Sequence, residues 1–141
     1  MVSIELKRQQ GEFGFQVKDS NGHIVLTDTS PESGGINYGV RPAQLMLMGL
    51  GGCSGIDVVA ILKKQRQHLE DIRIKITGER EQGKVPALWK EIKMAFFLIG
   101  KIDEGKAKRA VELSIEKYCS VAETLRRAGA SISWTVHIEN K

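Results

Sequence analysis

The chain has 141 residues, of which 41% are hydrophobic and 27% charged, with a formal net charge of +4. This length predicts a single domain, residues 1–141, and the composition is that of a globular chain, not of a disordered or collagen-like one. Basic and acidic residues are interleaved, which argues against nucleic-acid binding, and residues 1–10 lack the apolar run of a signal peptide. We therefore expect a cytoplasmic protein whose cysteines, Cys53 and Cys119, are thiols.

The first forty residues predict a small antiparallel sheet followed by a loop. Polar and apolar residues alternate at Ser3–Lys7 and at Phe13–Val17, and a short apolar run follows at His23–Asp28. The dipeptide Asn21-Gly22 predicts a hairpin turn, because both residues tolerate a positive φ. Residues 29–40 are rich in Ser, Pro, Gly and Asn, which indicates a loop without regular structure.

The stretch from Arg41 to His68 predicts one long helix. Pro42 suits a first helical turn, and Lys63 and Lys64 place positive charge near the other end, where the helix dipole favours it. Apolar residues surround the axis between Leu45 and Leu62, which indicates a helix buried on all sides. Each glycine inside it costs about 1 kcal/mol relative to alanine, so we expect another backbone to come close. The glycines are Gly49, Gly51, Gly52 and Gly55. Together with Asp57 they also argue against a transmembrane helix.

The second half of the chain predicts two strands, two helices and a final strand. Strands are predicted near residues 72–77, 88–99 and 132–138. Helical spacing of apolar residues from Lys106 to Tyr118 indicates an amphipathic helix. Ser120 and Glu123 match a capping box, with Ser120 as the N-cap of a second, shorter helix. The resulting order, βββ-α-ββ-α-α-β, is that of an α+β domain.

Cys53 and Cys119 are the candidate catalytic residues. Glycines beside Cys53 leave its sulfur little covered, and the start of a helix at Cys119 favours the thiolate. The alternative for each cysteine is a buried, unreactive thiol. If the fold brings them together, one thiol can attack a peroxide and the other can condense with it to a disulfide. The histidines are scattered, at His23, His68 and His137, and no metal or cofactor site is predicted.

The segment PAQLMLMGLGGCSGIDV, followed by YCSVAETL before the final strand, resembles the OsmC/Ohr family of osmotically inducible and organic hydroperoxide resistance proteins. The resemblance covers essentially the whole chain and is strongest with the YhfA-like subgroup. It implies an OsmC-like fold and an intertwined homodimer, in which two central helices pack together beside the active sites. It also implies that Cys53 is the peroxidatic cysteine and Cys119 the resolving one. Organic hydroperoxides would be reduced with a dithiol donor, in an oxidative stress response.

The chain departs from the pattern of this family at three positions. Ala43, with Gln44 beside it, occupies the position of the active-site glutamate of the family. In the family an arginine from the first hairpin or from the loop before the helix pairs with the thiolate. The hairpin position falls near Phe13 in this chain, and the loop at residues 29–40 contains no arginine. Ser120 stands where a proline usually follows the second cysteine.

These departures leave two functions open. Arg41 lies twelve helical residues from Cys53, which is about 18 Å at 1.5 Å per residue. The thiolate would then depend on Arg8 or on an arginine of the partner subunit. The alternative function is a weakly reactive or non-catalytic dimer that binds a hydrophobic small molecule. Its interface pocket would be lined in part by Met46, Met48 and phenylalanines.

Overall fold

The computed structural model describes residues 1–140, and the chain divides into two compact units, Met1–Met46 and the part from Leu47 onwards. The elements follow the order βββ-α-ββ-α-α-β, with a short 3₁₀ turn and a π turn added. The predicted α+β class is therefore confirmed.

The first unit contains a three-stranded antiparallel sheet. Its strands are β1 (Glu5–Gln10), β2 (Gly14–Lys18) and β3 (Ile24–Thr27), in that spatial order. The turn between β2 and β3 lies where it was predicted, but Gly22 alone of the predicted pair has a positive φ, of 83°. The carboxylate of Asp19 closes this turn by accepting the backbone N–H groups of Asn21 and His23 at 2.9 and 2.8 Å.

A buried carboxylate organises the loop that follows β3. Asp28 accepts the backbone N–H groups of Thr29, Ile36 and Tyr38 at 2.8, 2.9 and 3.1 Å. These hydrogen bonds, led by that of Tyr38, hold the pKa of Asp28 below its usual value, because they stabilise the ionised form. One buried side chain, whose role is not apparent from the sequence, thus holds three backbone positions of this loop.

The central helix α1 spans Gln44–Lys64 and is buried along one stripe only. It begins three residues later than predicted, after a turn at residues 41–43, and it ends before Arg66, whose φ is 59°. The buried residues recur every fourth position, at Leu50, Ser54, Val58 and Leu62. The prediction of a helix buried on all sides is wrong for the single chain, since Ile56 is 73% exposed. The reason is that the second unit, which contains α1 from Leu47 onwards, covers only the face of the helix that packs into the hydrophobic core.

By length and mean hydropathy, 1.9 over its most apolar window, α1 would also pass for a membrane span. Composition alone does not separate such a span from the core helix of a globular domain. The buried stripe of α1 includes one polar residue, Ser54, whose hydroxyl lies 3.2 Å from the hydroxyl of Ser114.

The second unit places a three-stranded sheet against the helices. The strands are β4 (His68–Arg80), β5 (Trp89–Lys101) and β6 (Ser131–Glu139), with β5 in the centre. β4 pairs antiparallel and β6 parallel to β5. Alternate side chains of β5 form the core beneath the helices, namely Ile92, Met94, Phe96 and Leu98.

The connection from β5 to β6 contains the remaining helices, α2 (Glu104–Leu113) and α3 (Ser120–Arg127), with a π turn at Ser114–Tyr118 between them. The predicted capping box is wrong. Cys119, not Ser120, is the N-cap of α3, and Glu123 pairs with Arg126 and Arg127 instead of reaching back. The backbone leaves the π turn at Cys119 in an extended conformation, which is the conformation of an N-cap residue.

Candidate functional site

The two candidate cysteines meet between α1 and the start of α3, together with one carboxylate. The sulfurs of Cys53 and Cys119 and a carboxylate oxygen of Asp57 all lie within 4.8 Å of one another. Cys53 and Asp57 are four residues apart in α1 and therefore lie on the same face of the helix. Cys119 comes to this face through the connection from β5, and both cysteines are free thiols. Two thiols and one acid group can thus exchange protons or bind a common ligand here.

Two buried serines hold the carboxylate in place. The hydroxyl of Ser114 donates to Oδ2 of Asp57 at 2.9 Å, and the hydroxyls of Ser114 and Ser54 lie 3.2 Å apart. Both serines are fully buried, and Ser114 is the first residue of the π turn. Such turns are common at functional sites. These roles are not apparent from the sequence, although the spacing of Cys53 and Asp57 by one helical turn is a usable signal.

Cys119 is a buried thiol. Its side chain is 2% exposed, and burial raises its pKa to about 11. The neighbouring Cys53 adds to this rise, and the backbone N–H of Ala122, 3.4 Å from the sulfur, opposes it. The predicted preference of Cys119 for the thiolate is therefore wrong. The loss of hydration outweighs the favourable end of a helix only eight residues long.

The environments of the two cysteines predict selective alkylation. With a pKa of about 11, Cys119 is protonated at lower pH, and its thiolate appears only as the pH rises through that value. At about pH 8, iodoacetamide should modify Cys53, which is half-buried and accessible, and leave buried Cys119 unmodified in the native protein. Peptide mass spectrometry reads out both sites, and protein unfolded in urea should be modified at both. Equal labelling of Cys119 in native protein would contradict this assignment.

The positions where the family resemblance implies an arginine and a glutamate lie in the first unit. Phe13 lies in the turn between β1 and β2, and Ala43 immediately precedes α1, which begins at Gln44. The guanidinium of Arg41 donates to the carbonyl of Gly39 at 2.9 Å and to Oδ1 of Asn37 at 3.3 Å. Its hydrogen bonds therefore stabilise the loop before α1.

Asp57 has no basic ion-pair partner in the described part of the second unit. No lysine or arginine among residues 47–140 forms an ion pair with Asp57. Arg8 lies in β1 opposite Phe15, and its use by the Cys53 thiolate stays a prediction.

An apolar groove runs along the exposed face of α1. It is lined by Gly51, Gly52, Gly55, Ile56, Val59, Ala60 and Ile72. A Cβ added at Gly51 or Gly55 would meet a side chain of β4, at 2.9 or 3.1 Å, whereas one added at Gly52 would meet nothing within 4 Å. A Cβ at Gly49 would also meet nothing within 4 Å, so the expected close approach of another backbone is not present at any of the four glycines within the single chain. Nor do Met46 and Met48 line this groove, although both are exposed.

The fold is that of OsmC-like proteins. The sequence profile of the OsmC-like protein family matches residues 33–135, and the chain belongs to this family. It is 41% identical over 115 residues to Protein YhfA of Escherichia coli K12, which covers 81% of this chain and 82% of YhfA. The predicted family, and the likeness to YhfA within it, are therefore confirmed.

Solved structures agree with this assignment. A hypothetical protein from Aquifex aeolicus VF5 is 36% identical, with a TM-score of 0.80 over 99% of this chain and 98% of the other. The organic hydroperoxide resistance protein OhrB of Bacillus subtilis is 15% identical, with a TM-score of 0.65 over 99% of this chain and 98% of the other. At that identity OhrB shares the fold, so the predicted OsmC-like fold is confirmed.

Proposed function

We propose that the protein is a thiol-dependent peroxidase that reduces organic hydroperoxides through Cys53 and Cys119. The observation that carries this proposal is the pair of free thiols, one half-buried and one buried, whose sulfurs lie within 4.8 Å. Membership of the OsmC-like family supports it, and the name of OhrB supports the substrate class. The proposal includes a role in the oxidative stress response of the cytoplasm.

The accessible thiol attacks first. Cys53 as thiolate attacks a peroxide oxygen, the O–O bond breaks, and the alcohol leaves with a proton while Cys53 becomes a sulfenic acid. The sulfur of Cys119 then attacks Cys53, water leaves, and a disulfide forms. An external dithiol reduces this disulfide by thiol exchange. Asp57, within 4.8 Å of both sulfurs, is placed to pass the proton of the Cys119 thiol to the sulfenic hydroxyl, which then leaves as water.

The proposal also includes a homodimer that uses the exposed apolar face of α1. Ile56 is 73% exposed in the single chain, and its neighbours in the groove are glycines and small apolar residues. A patch of this kind on each of two chains can cover the other about a two-fold axis.

Removal of the Cys53 thiol should abolish activity. Reduced protein is mixed with cumene hydroperoxide and dihydrolipoamide, and loss of peroxide is followed over time. Cys53→Ser should fall to the uncatalysed rate, because serine is not a nucleophile toward peroxide. Ser120→Ala, an exposed change beside Cys119, is the control and should keep the wild-type rate. If wild type and Cys53→Ser consume peroxide equally slowly, the proposal fails.

The alternative is a weakly reactive or non-catalytic dimer that binds a hydrophobic small molecule. One observation favours it: a carboxylate, Asp57, lies beside the sulfurs, where a peroxidase gains from a positive charge. For this alternative we expect no catalysed peroxide loss, together with saturable binding of an anilinonaphthalene sulfonate dye by the folded wild type. Rapid peroxide turnover would exclude it.

A further inference from the structure

We infer that Cys53, Asp57 and Cys119 form a binding site for a thiophilic divalent metal ion of the zinc class. The three donor atoms, two sulfurs and one carboxylate oxygen, lie within 4.8 Å of one another. Such a site goes beyond the proposed peroxidase, which needs the sulfurs but no metal.

The distances are close to those that a bound zinc ion imposes. Zinc binds cysteine sulfur at about 2.3 Å and aspartate oxygen at about 2.0–2.2 Å in tetrahedral geometry. Two sulfurs on one ion are then about 3.8 Å apart, and a sulfur and an oxygen about 3.5 Å apart. From a spread of at most 4.8 Å, side-chain shifts of about 1 Å bring the donors to these values. Three protein ligands leave the fourth position to water.

The surroundings of the carboxylate match those of a metal ligand. Carboxylates that bind metals are usually held by a further hydrogen bond, which fixes their orientation. Here the buried hydroxyl of Ser114 donates to Oδ2 of Asp57 at 2.9 Å, and Ser54 lies against Ser114. Asp57 and Cys53 are also fixed relative to each other, one turn apart on the same helix.

Charge favours a cation at this place. Two thiolates and one carboxylate would carry three negative charges, and no lysine or arginine of residues 47–140 forms an ion pair with Asp57. A divalent ion compensates two of these charges. Half-buried Cys53 gives the ion a route from solvent, whereas Cys119 closes the inner side.

The site exists only in the reduced protein. When an organic hydroperoxide oxidises both thiolates, two electrons pass from the sulfurs to the O–O bond. Two protons are taken up, and the products are the disulfide, the alcohol and water. The metal then loses two of its three ligands and should dissociate. Metal binding and the peroxidase cycle therefore exclude each other.

Titration with Co²⁺ tests the site directly. Reduced, metal-free, full-length protein is titrated without oxygen or peroxide, and thiolate-to-cobalt charge transfer is followed in the near ultraviolet. We expect saturation at one ion per chain, and Zn²⁺ should displace the cobalt. Cys53→Ser and Cys119→Ser should each lose about half of the charge-transfer intensity, since each removes one of the two sulfurs.

Two further variants separate a metal site from general thiol binding. Asp57→Asn and Ser114→Ala keep both sulfurs. Ser114→Ala should weaken Zn²⁺ binding roughly 10- to 100-fold, as loss of the hydrogen-bond partner of a ligand does, and Asp57→Asn, which changes the ligand itself, should weaken it at least as much. Glu116→Gln, an exposed change in the same π turn, is the matched control and should bind like wild type. Circular dichroism checks that each variant is folded.

The inference is overturned if wild type shows no thiolate charge transfer, or if folded Asp57→Asn binds Zn²⁺ as tightly as Glu116→Gln. Where a cysteine variant does not fold, protection of wild-type Cys53 from iodoacetamide by Zn²⁺ gives the same answer. The peroxide assay contains no metal, so failure of the metal site leaves the proposed peroxidase standing, and the reverse also holds.

Discussion

Phe96→Ala should lower the free energy of unfolding by about 3–5 kcal/mol, the largest stability loss that we expect from one side chain. Phe96 is fully buried in the middle of β5, the central strand of its sheet. It is paired in register with Ile74 of β4 and Val136 of β6, so the cavity left by alanine has walls on both sides. A strand held by neighbours on both sides cannot easily move to close such a cavity, so we expect the full cost of the cavity.

The neighbouring residue is the matched control. Phe97 points to the opposite face of the same strand, where it is half-buried, stacks on His137 at 4.9 Å and lies 4.1 Å beneath the guanidinium of Arg73. Phe97→Ala should cost only about 1–2 kcal/mol, because it removes ring contacts and leaves no enclosed cavity. Urea unfolding curves of the three proteins measure the difference. Equal losses for the two variants would mean that the inner and outer faces of β5 are assigned wrongly.

The faces of the strands could be predicted from the sequence, but their lengths could not. Alternation of Ile72, Ile74 and Ile76 with polar residues marked the inner face of β4. The strand itself runs from His68 to Arg80, because its ends pair with β5 although they lack a clean alternation. Backbone pairing depends on the partner strand, and a local pattern carries no information about it.

The site could be predicted only in part, because its members come from distant parts of the chain. Cysteine is chemically distinctive, so Cys53 and Cys119 were candidates from residue type alone. Asp57 and Ser114 are ordinary residues, 57 positions apart, and only the fold places the hydroxyl 2.9 Å from the carboxylate. The pKa of Cys119 was misjudged for the same reason. The start of a helix is visible in a sequence, whereas burial to 2% exposure is not.

The central helix shows what composition leaves undecided. Apolar residues on every side of α1 predicted cover on every side, and the single chain supplies it along one stripe only. The glycines of α1 likewise predicted that another backbone comes close to the helix, but the sequence does not say which one. Gly51 and Gly55 admit isoleucine side chains of β4, but Gly52 faces open space. The part of the pattern that this chain leaves unexplained is the part that a second copy would explain.

Gly52→Leu should therefore convert a dimer into monomers or destabilise the folded protein. In a lone chain position 52 is exposed, and a Cβ added there has no neighbour within 4 Å. Leucine would then favour the helix by up to about 1 kcal/mol relative to glycine. In our proposed dimer the same side chain enters a packed contact between two copies of α1, which costs about 1–3 kcal/mol or more, and two-fold symmetry applies that cost to each copy.

Gly52→Leu should therefore stabilise a protein that is monomeric and destabilise one that is dimeric through α1. Sedimentation equilibrium at low micromolar concentration gives the mass of each protein, and urea unfolding gives its stability. Lys63→Leu, which adds a leucine to an exposed position in the last turn of the same helix, is the control for added hydrophobicity and should leave the dimer intact. A wild type that sediments as a folded monomer, or a Gly52→Leu dimer more stable than wild type, would contradict the interface. Because the wild-type mass depends on neither cysteine, this result decides the assembly whether or not the site reduces peroxides.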